Sequence, residues 1–254
     1  MKALIPAAGH GTRFLPVTKV VPKEMLPIGA KPAIQLIVEE ALSAGADEVV
    51  IVTSPEKEII RHYFDDDSAL APRIRWVYQT EQKGLGHAVL QASDMLQDER
   101  EPVLVLLGDA LVAGETPSAA MAAISRAHGC ASVIGLEEVP LERVSRYGIV
   151  EGLADGGDDR VLKLTDLVEK PSPEAAPSRL AIAGRYLLDP AIFNLLVSQT
   201  PGVGGEIQLT DAIRRLLSEK PVYGYLYSGT RHDIGNPAGY LKALQAFSAY
   251  FARQ

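Results

Sequence analysis

The chain has one cysteine, Cys130, and one tryptophan in 254 residues. A lone cysteine excludes an intramolecular disulfide framework and fits a reducing compartment. No apolar run approaches the roughly 18 residues of a membrane span; Val103–Leu107 is typical of the short apolar stretches. The opening MKALIPAAGHGTR carries too short an apolar segment for a signal-peptide core. Basic residues are in the minority, 25 against 32 acidic, for a net charge of −7. They form no Lys/Arg stripe of the kind that nucleic-acid binders show. The expectation is a cytoplasmic, soluble protein with neither nucleic acid nor membrane as partner. The overall field repels anions, so any phosphate chemistry has to rest on local cations and a metal.

What is present is a large apolar content, 47% of residues. At 27.3 kDa, a folded chain exposes roughly 11,000 Å² against roughly 40,000 Å² when extended, so about 70% can be buried without a covalent staple. Val-, Ile- and Leu-rich runs predict strands at Lys2–Pro6, Glu48–Thr53, Ile74–Tyr78, Val103–Leu107, Ala131–Glu137, Arg160–Val168, Leu180–Leu188 and Val222–Tyr227. Helical patterns fall at Pro32–Ala44, Glu56–Phe64, Gly86–Leu96, Pro117–Ala127, Pro190–Val197, Ile207–Leu217 and Pro237–Ala252. Pro32 suits a first helical position and Gly45 a left-handed terminator. Strand–helix alternation predicts a mostly parallel sheet covered by helices on both faces. Near residue 137 the rhythm changes and strands come closer together. The reading is a single domain with a nucleotide-binding half, about 1–137, and a second half, about 138–254, on the same sheet.

The first strand runs into a glycine-rich loop with Ala8, Gly9, Gly11, Thr12 and Arg13. Glycines let backbone N–H groups approach phosphate oxygens. Phe14 stands where a dinucleotide fingerprint needs its third glycine, and no Gly-Lys-Ser/Thr follows, so neither of those phosphate motifs is present. An ordinary turn with two glycines is the alternative. Lys19 and Lys23 follow among three prolines, an ordered non-helical stretch that can hold cations in place. Ligands of open α/β sheets lie beyond the carboxyl ends of strands. Asp109 closely follows one such end, and Asp233 sits in a late turn of small residues. Two carboxylates that converge make a hard-oxygen site suited to Mg²⁺; a lone Asp in a turn is otherwise a cap.

The segment AAGHGTRFLPVTKVVPKEMLPI resembles the signature of the sugar-1-phosphate nucleotidyltransferases, and is particularly similar to their bacterial UTP–glucose-1-phosphate uridylyltransferase branch. The likeness continues in order through Gln79, Lys83-Gly-Leu-Gly-His-Ala88, Gly108-Asp109, Tyr147-Gly-Ile-Val150, Val168-Glu-Lys-Pro171, Gly184-Arg-Tyr186, Gly205-Glu-Ile-Gln-Leu-Thr-Asp211 and His232-Asp-Ile-Gly-Asn236. It implies a Rossmann-like three-layer α/β/α fold around a mixed, mostly parallel sheet, of the nucleotidyltransferase and glycosyltransferase-A type. It implies UTP and a sugar 1-phosphate as substrates and Mg²⁺ as cofactor, held by Asp109 and Asp233. By the same resemblance Arg13 and Lys23 serve the triphosphate and Lys170 the sugar phosphate. Gln79 and Gly84 take the base, while Gly148, Glu169, Gly184 and Glu206 line the sugar.

Without the resemblance, a Gln after a strand is usually just exposed, a Glu-Lys pair faces solvent, and Asp211 is a polar helix residue. The histidines have no metal-ligand spacing. His10 and His87 are candidates for the pocket wall without a catalytic role. Cys130 reads as a small buried hydrophobe. Two departures stand out. Only eleven residues separate Phe64 from Trp76, where longer relatives carry a helical insertion that helps some of them associate, so a homo-oligomer stays open. Thr230 replaces a lysine common two residues before the histidine, and Arg231 is no simple substitute. A thymidylyltransferase and a catalytically silent sugar-nucleotide sensor are the rival readings, with a dinucleotide oxidoreductase last because of Phe14.

Overall fold

The structure is a computed structural model that describes residues 1–251. Its strands, in chain order, are β1 (Lys2–Pro6), β2 (Pro27–Ile28), β3 (Lys31–Pro32), β4 (Glu48–Thr53), β5 (Ile74–Tyr78), β6 (Val103–Leu106), β7 (Ala110–Ala113), β8 (Ser132–Glu138), β9 (Gly148–Ala154), β10 (Val161–Glu169), β11 (Leu180–Leu188), β12 (Val222–Leu226) and β13 (Thr230–Asp233). The helices are α1 (Ala33–Ser43), α2 (Glu58–Asp65), α3 (Leu85–Leu90), α4 (Ser93–Leu96), α5 (Ser118–Ala127), α6 (Ala191–Val197), α7 (Leu209–Leu217) and α8 (Pro237–Phe251). The last residue of the expected final helix, Ala252, lies outside the described residues. The expected helix Gly86–Leu96 is two pieces, α3 and α4, interrupted at Gln91–Ala92.

Nine strands form one sheet in the order β5-β4-β1-β6-β11-β8-β12-β10-β9. Alternate residues of β1 face opposite sides. Ala3 and Ile5 join a core with Ile34 and Ile37 of α1, Phe64 of α2 and Met121 of α5. Leu4 joins a second core with Val89 of α3, Phe193 of α6 and Ala212 of α7. Helices therefore cover both faces. This is why β1, β4 and β6 read as continuous apolar runs: strands buried on both sides have no polar face. The accessible surface is 11517 Å², as the chain mass requires.

The sheet is not mostly parallel. The pairs β5–β4, β4–β1, β1–β6 and β8–β12 are parallel. The pairs β6–β11, β11–β8, β12–β10 and β10–β9 are antiparallel, so the expectation holds only for the first half. For β9 and β10 the reason is connection length. A parallel pair needs a crossover of about a dozen residues or more, and the link from Ala154 to Val161 is too short for one. Close spacing of strands after residue 137 was the signal of antiparallel pairing.

Beside the main sheet, β7 and β13 pair antiparallel with Ala110 opposite Asp233, and Ile234 N–H donates to the Asp109 carbonyl at 2.8 Å. This small ladder brings the late turn of the chain to the end of β6. Cys130 is exposed, not buried. It follows Gly129 in a turn with φ of 64°, one residue outside the apolar run that suggested burial.

Candidate active site

The carboxyl ends of β1, β5 and β6 and the β9–β11 region surround an open crevice of about 490 Å³. Ala8, Gly9, Arg13 and Lys23 line one end, and Gln79 and Gly84 line the flank beyond β5. Asp109 lies at the centre, with Gly148, Glu169, Lys170, Gly184 and Glu206 at the far side. Gly11, Thr12 and Asp233 stand off the crevice wall. Gly11 is left-handed, with φ of 66°, and leads into the short helical turn Thr12–Phe14. Asp233 is placed by β13 beside Asp109.

The glycine-rich loop is held from behind. Lys57, nearly buried, donates from Nζ to the carbonyls of Ala7 at 2.7 Å and Gly9 at 2.6 Å and to Glu24 Oε2 at 2.9 Å. Glu24 is 1% exposed. Burial pushes the Glu24 carboxyl up, against the pull of Lys57, and burial pushes the Lys57 ammonium down. Gln82 Nε2 donates to the carbonyl of Ala8 at 3.0 Å. Neither Lys57 nor Glu24 was legible in the sequence. In Ser54-Pro-Glu-Lys-Glu58 the lysine stands between two acids and reads as part of a solvated face.

At the centre, Lys23 Nζ pairs with Asp109 Oδ2. Burial raises the Asp109 pKa, but Lys23 and then Arg13 outweigh it and hold the carboxyl below the usual range. Burial likewise works against the Lys23 ammonium, and Asp109 more than restores it. Arg13 Nη1 lies 3.7 Å from Asp233 Oδ2. A β-carbon placed on Gly235 would sit 2.8 Å from Asp233 Oδ1 and 3.0 Å from both Asp109 Oδ2 and Arg13 Nη2. Both carboxylates therefore face one point that a glycine leaves clear. Among the described residues no group of three or more His, Cys, Asp or Glu side chains forms a metal cage. Two converging carboxylate oxygens with open space fit a small hard cation that keeps waters and takes further ligands from substrate phosphates.

At the far end, Thr210 Oγ1 donates to Glu169 Oε2 at 2.7 Å and Lys170 Nζ lies 3.3 Å from Glu169 Oε1. Lys170 adopts φ of 46°, unusual for a residue with a side chain, and its N–H donates to the Tyr147 carbonyl at 2.9 Å. Arg231 does reach the wall. Its Nε donates to Glu137 Oε1 at 2.7 Å, and its guanidinium lies 4.9 Å from the Tyr147 ring centre. Arg146 and Tyr186 also line this end. Thr210, Arg146 and Arg231 were missed as site residues, although Thr210 sits inside a quoted segment and Arg231 beside one. The two flanks are tied together: Ile207 N–H donates to Lys83 O and Gly86 N–H to Ile207 O, both at 2.8 Å. Gly84, with φ of +97°, has Glu206 Cβ only 2.7 Å from where its own β-carbon would lie. Only glycine meets both demands.

Clustered cations and converging carboxylates beside a glycine loop, with no Ser, Cys or His among the described lining residues, suit transfer between phosphates. Comparison with known proteins agrees. The sequence model of the family described as "Nucleotidyl transferase" matches residues 2–249. A Staphylococcus haemolyticus protein named UTP–glucose-1-phosphate uridylyltransferase is 45% identical over 262 aligned positions, which cover 95% of this chain and 90% of that protein. A crystal structure of UDP-glucose pyrophosphorylase complexed with UDP-glucose superposes with a TM-score of 0.86 at 40% identity, covering 100% of this chain and 99% of that one. A UTP-bound UGPase from Acinetobacter baumannii gives a TM-score of 0.86 at 35% identity, covering 98% and 93%. With sequence likeness end to end and the same backbone path around the crevice, the chain belongs to the nucleotidyl transferase family.

Proposed function

We propose that the chain transfers a uridylyl group from UTP to glucose 1-phosphate, giving UDP-glucose and pyrophosphate. The observation that carries this is likeness over nearly the whole chain to proteins named for that reaction. The crevice brings Arg13, Lys23 and Lys170 to one wall system with Gln79 and Glu169, which supports the assignment. The site roles are our reading. Ala8, Gly9, Gly11 and Thr12 receive the triphosphate, Gln79 and Gly84 the base, and Gly148, Glu169, Gly184 and Glu206 the sugar. Supporting the division of labour, the nucleotide residues fall mainly before residue 137 and the sugar residues after it, on one domain. The helix-covered sheet supports a Rossmann-like three-layer description. No described helix is long and apolar enough to cross a membrane, and with a single cysteine we read the location as cytoplasmic.

A phosphate oxygen of glucose 1-phosphate attacks the α-phosphorus of UTP. The bond from that phosphorus to the bridging oxygen breaks, and pyrophosphate leaves with the electron pair. The nucleophile is already an anion, so no side chain has to remove a proton. The task is positioning and charge neutralisation. Two anions about 4 Å apart repel by roughly 4 kcal/mol per charge pair at an effective dielectric of about 20. Arg13 and Lys23 offset this at the triphosphate and Lys170 at the sugar phosphate. Asp109 and Asp233 would hold Mg²⁺, which when bound would supply further charge neutralisation on the phosphates.

The test is pyrophosphate release with glucose 1-phosphate and Mg²⁺, comparing UTP, dTTP, CTP, ATP and GTP at equal sub-saturating concentration. UTP is expected to lead. A lead for dTTP would move the chain to the thymidylyl branch, since one methyl is worth only about 1–3 kcal/mol of discrimination. Failure with every nucleotide and sugar phosphate, with UDP-glucose still bound, would leave a sensor.

A further inference from the structure

Gln79 is 3% exposed and lies on the crevice wall at the end of β5. Its Nε2 is 2.8 Å from His87 Nδ1 and 3.4 Å from the Gly84 carbonyl oxygen. The other ring nitrogen, His87 Nε2, is 3.2 Å from the side-chain nitrogen of Gln91. A neutral imidazole accepts at one nitrogen and donates from the other. It cannot accept from both amides, so one of the two glutamines must present its oxygen instead. The Gly84 carbonyl decides which. It is an obligate acceptor, so the NH₂ group belongs on the Gly84 and His87 side of Gln79, and Gln91 is the one that turns. On that assignment His87 is the Nε2–H tautomer with a lone pair on Nδ1, set against the Glu81 backbone carbonyl, which favours a protonated ring. Both hydrogens of the Gln79 amide are directed at protein acceptors. Its Oε1 finds no protein donor among the described residues.

We propose that His87 is a specificity-positioning residue. It locks the Gln79 amide with its oxygen toward the base, so that the site accepts the N3–H of a uracil-type imide and rejects a base whose N3 is itself an acceptor. This rests on the uridylyl reading above. Cytosine presents a lone pair at N3, and two acceptors facing each other in a buried site leave both unsatisfied, which is costly. The amide cannot turn its NH₂ toward cytosine without giving up Gly84 and His87 together. Uracil and thymine share the N3–H, so this device separates them from cytosine and not from one another. The sequence shows only a Gln and a His eight positions apart. Their meeting depends on the tight Gly84 turn that leads from the end of β5 into α3.

Two measurements test this. The first is the ratio of kcat/KM for UTP to that for CTP, in wild type, His87→Phe and His87→Asn. Phenylalanine keeps the ring and removes the acceptor, and the ratio is expected to fall about tenfold or more, the effect of one hydrogen bond of roughly 1.4 kcal/mol. Asparagine can return an acceptor oxygen near the Nδ1 position and is expected to restore most of the ratio. A purely structural histidine would lower both substrates together and leave the ratio unchanged, which would overturn the proposal. The second measurement is the tautomer of His87 in the free protein from its ¹⁵N ring shifts, expected as Nε2–H. An Nδ1–H result would overturn the proposal whatever the kinetics. If wild type fails to use UTP while His87 is Nε2–H, the uridylyl reading falls and the locked amide stands.

Discussion

The ammonium of Lys57 lies 2.6 Å from the carbonyl oxygen of Gly9 and 2.7 Å from that of Ala7, two peptides apart on the glycine-rich loop. In a trans peptide the C=O and the following N–H point in opposite directions. Turning these two carbonyls inward therefore turns the N–H groups of Ala8 and His10 outward, the attitude an incoming phosphate needs. Lys57→Met would leave Glu24 buried without its counter-ion. Loss of one partner of a buried pair costs about 3–5 kcal/mol, to be read from denaturant unfolding. The KM for UTP should rise while that for glucose 1-phosphate holds. An unchanged KM for UTP in a folded Lys57→Met protein would refute the link to the loop.

Lys23 and Asp233 enter from opposite ends of the chain and meet around Asp109. On our reading, Lys23→Ala and Asp233→Ala each lower turnover by on the order of 10², the scale for one preorganised electrostatic group. Steady-state assays at saturating substrates and Mg²⁺ measure this. Near-normal turnover in either variant would remove that residue from the assignment.

Arg185 has no exposed surface. It donates from Nε and Nη2 to Glu40 at 3.0 and 2.8 Å, and from Nη2 to the Ala110 carbonyl at 2.8 Å, one residue beyond Asp109. Arg185→Met should cost about 3–5 kcal/mol, because Glu40 stays behind unpaired. The double variant Arg185→Met with Glu40→Leu should recover much of that loss. Chemical denaturation of the three proteins decides, and a wild-type midpoint for the single variant would contradict the argument.

His128 Nδ1–H donates to the Ile124 carbonyl at 2.8 Å, and Nε2 faces Asp155 Oδ2 at 2.8 Å. The Ile124 carbonyl first and Asp155 second hold its pKa above the ordinary value. Protonation is then favoured in the folded chain. The stabilisation is complete below the unfolded value of about 6.5 and is lost as pH rises through the higher folded value. The difference in unfolding midpoint between wild type and His128→Gln should therefore be largest near pH 5.5 and shrink by about pH 8.5. A difference that grows with pH would show the sign to be wrong.

Much of this was legible before any coordinates. The runs Lys2–Pro6, Glu48–Thr53, Ile74–Tyr78 and Leu180–Leu188 coincide with strands residue for residue; for all but the edge strand Ile74–Tyr78, burial on both faces leaves a largely apolar signature. The short β2, β3, β7 and β13 were missed, since two- to four-residue ladders have too little periodicity to register, and so was the seven-residue β9 at the sheet's end, whose second half is largely exposed and interrupted by Gly152. The crevice residues were found through motif resemblance. Their supports were harder to see because their meaning lies in distant partners. Lys57 meets Glu24 across 33 positions, and Thr210 meets Glu169 across 41. Arg185 did leave a trace, as a charge inside the apolar run Leu180–Leu188, which requires a buried partner. Nothing local names Glu40 as that partner.

The order of strands also governs how the protein can be made. β6 is complete at residue 106, yet one of its neighbours in the sheet is β11, which is not finished until residue 188. At about 5–20 residues per second, a growing chain holds that hydrophobic edge open for several seconds or more. Open edges of this kind recruit other strands. A chain truncated at residue 137 would keep the glycine-rich loop and Asp109 but never close the sheet beside them. The half that carries the glycine-rich loop is therefore not separable from the half that carries Glu169 and Lys170, and fusion partners or tags do not belong at the apparent midpoint.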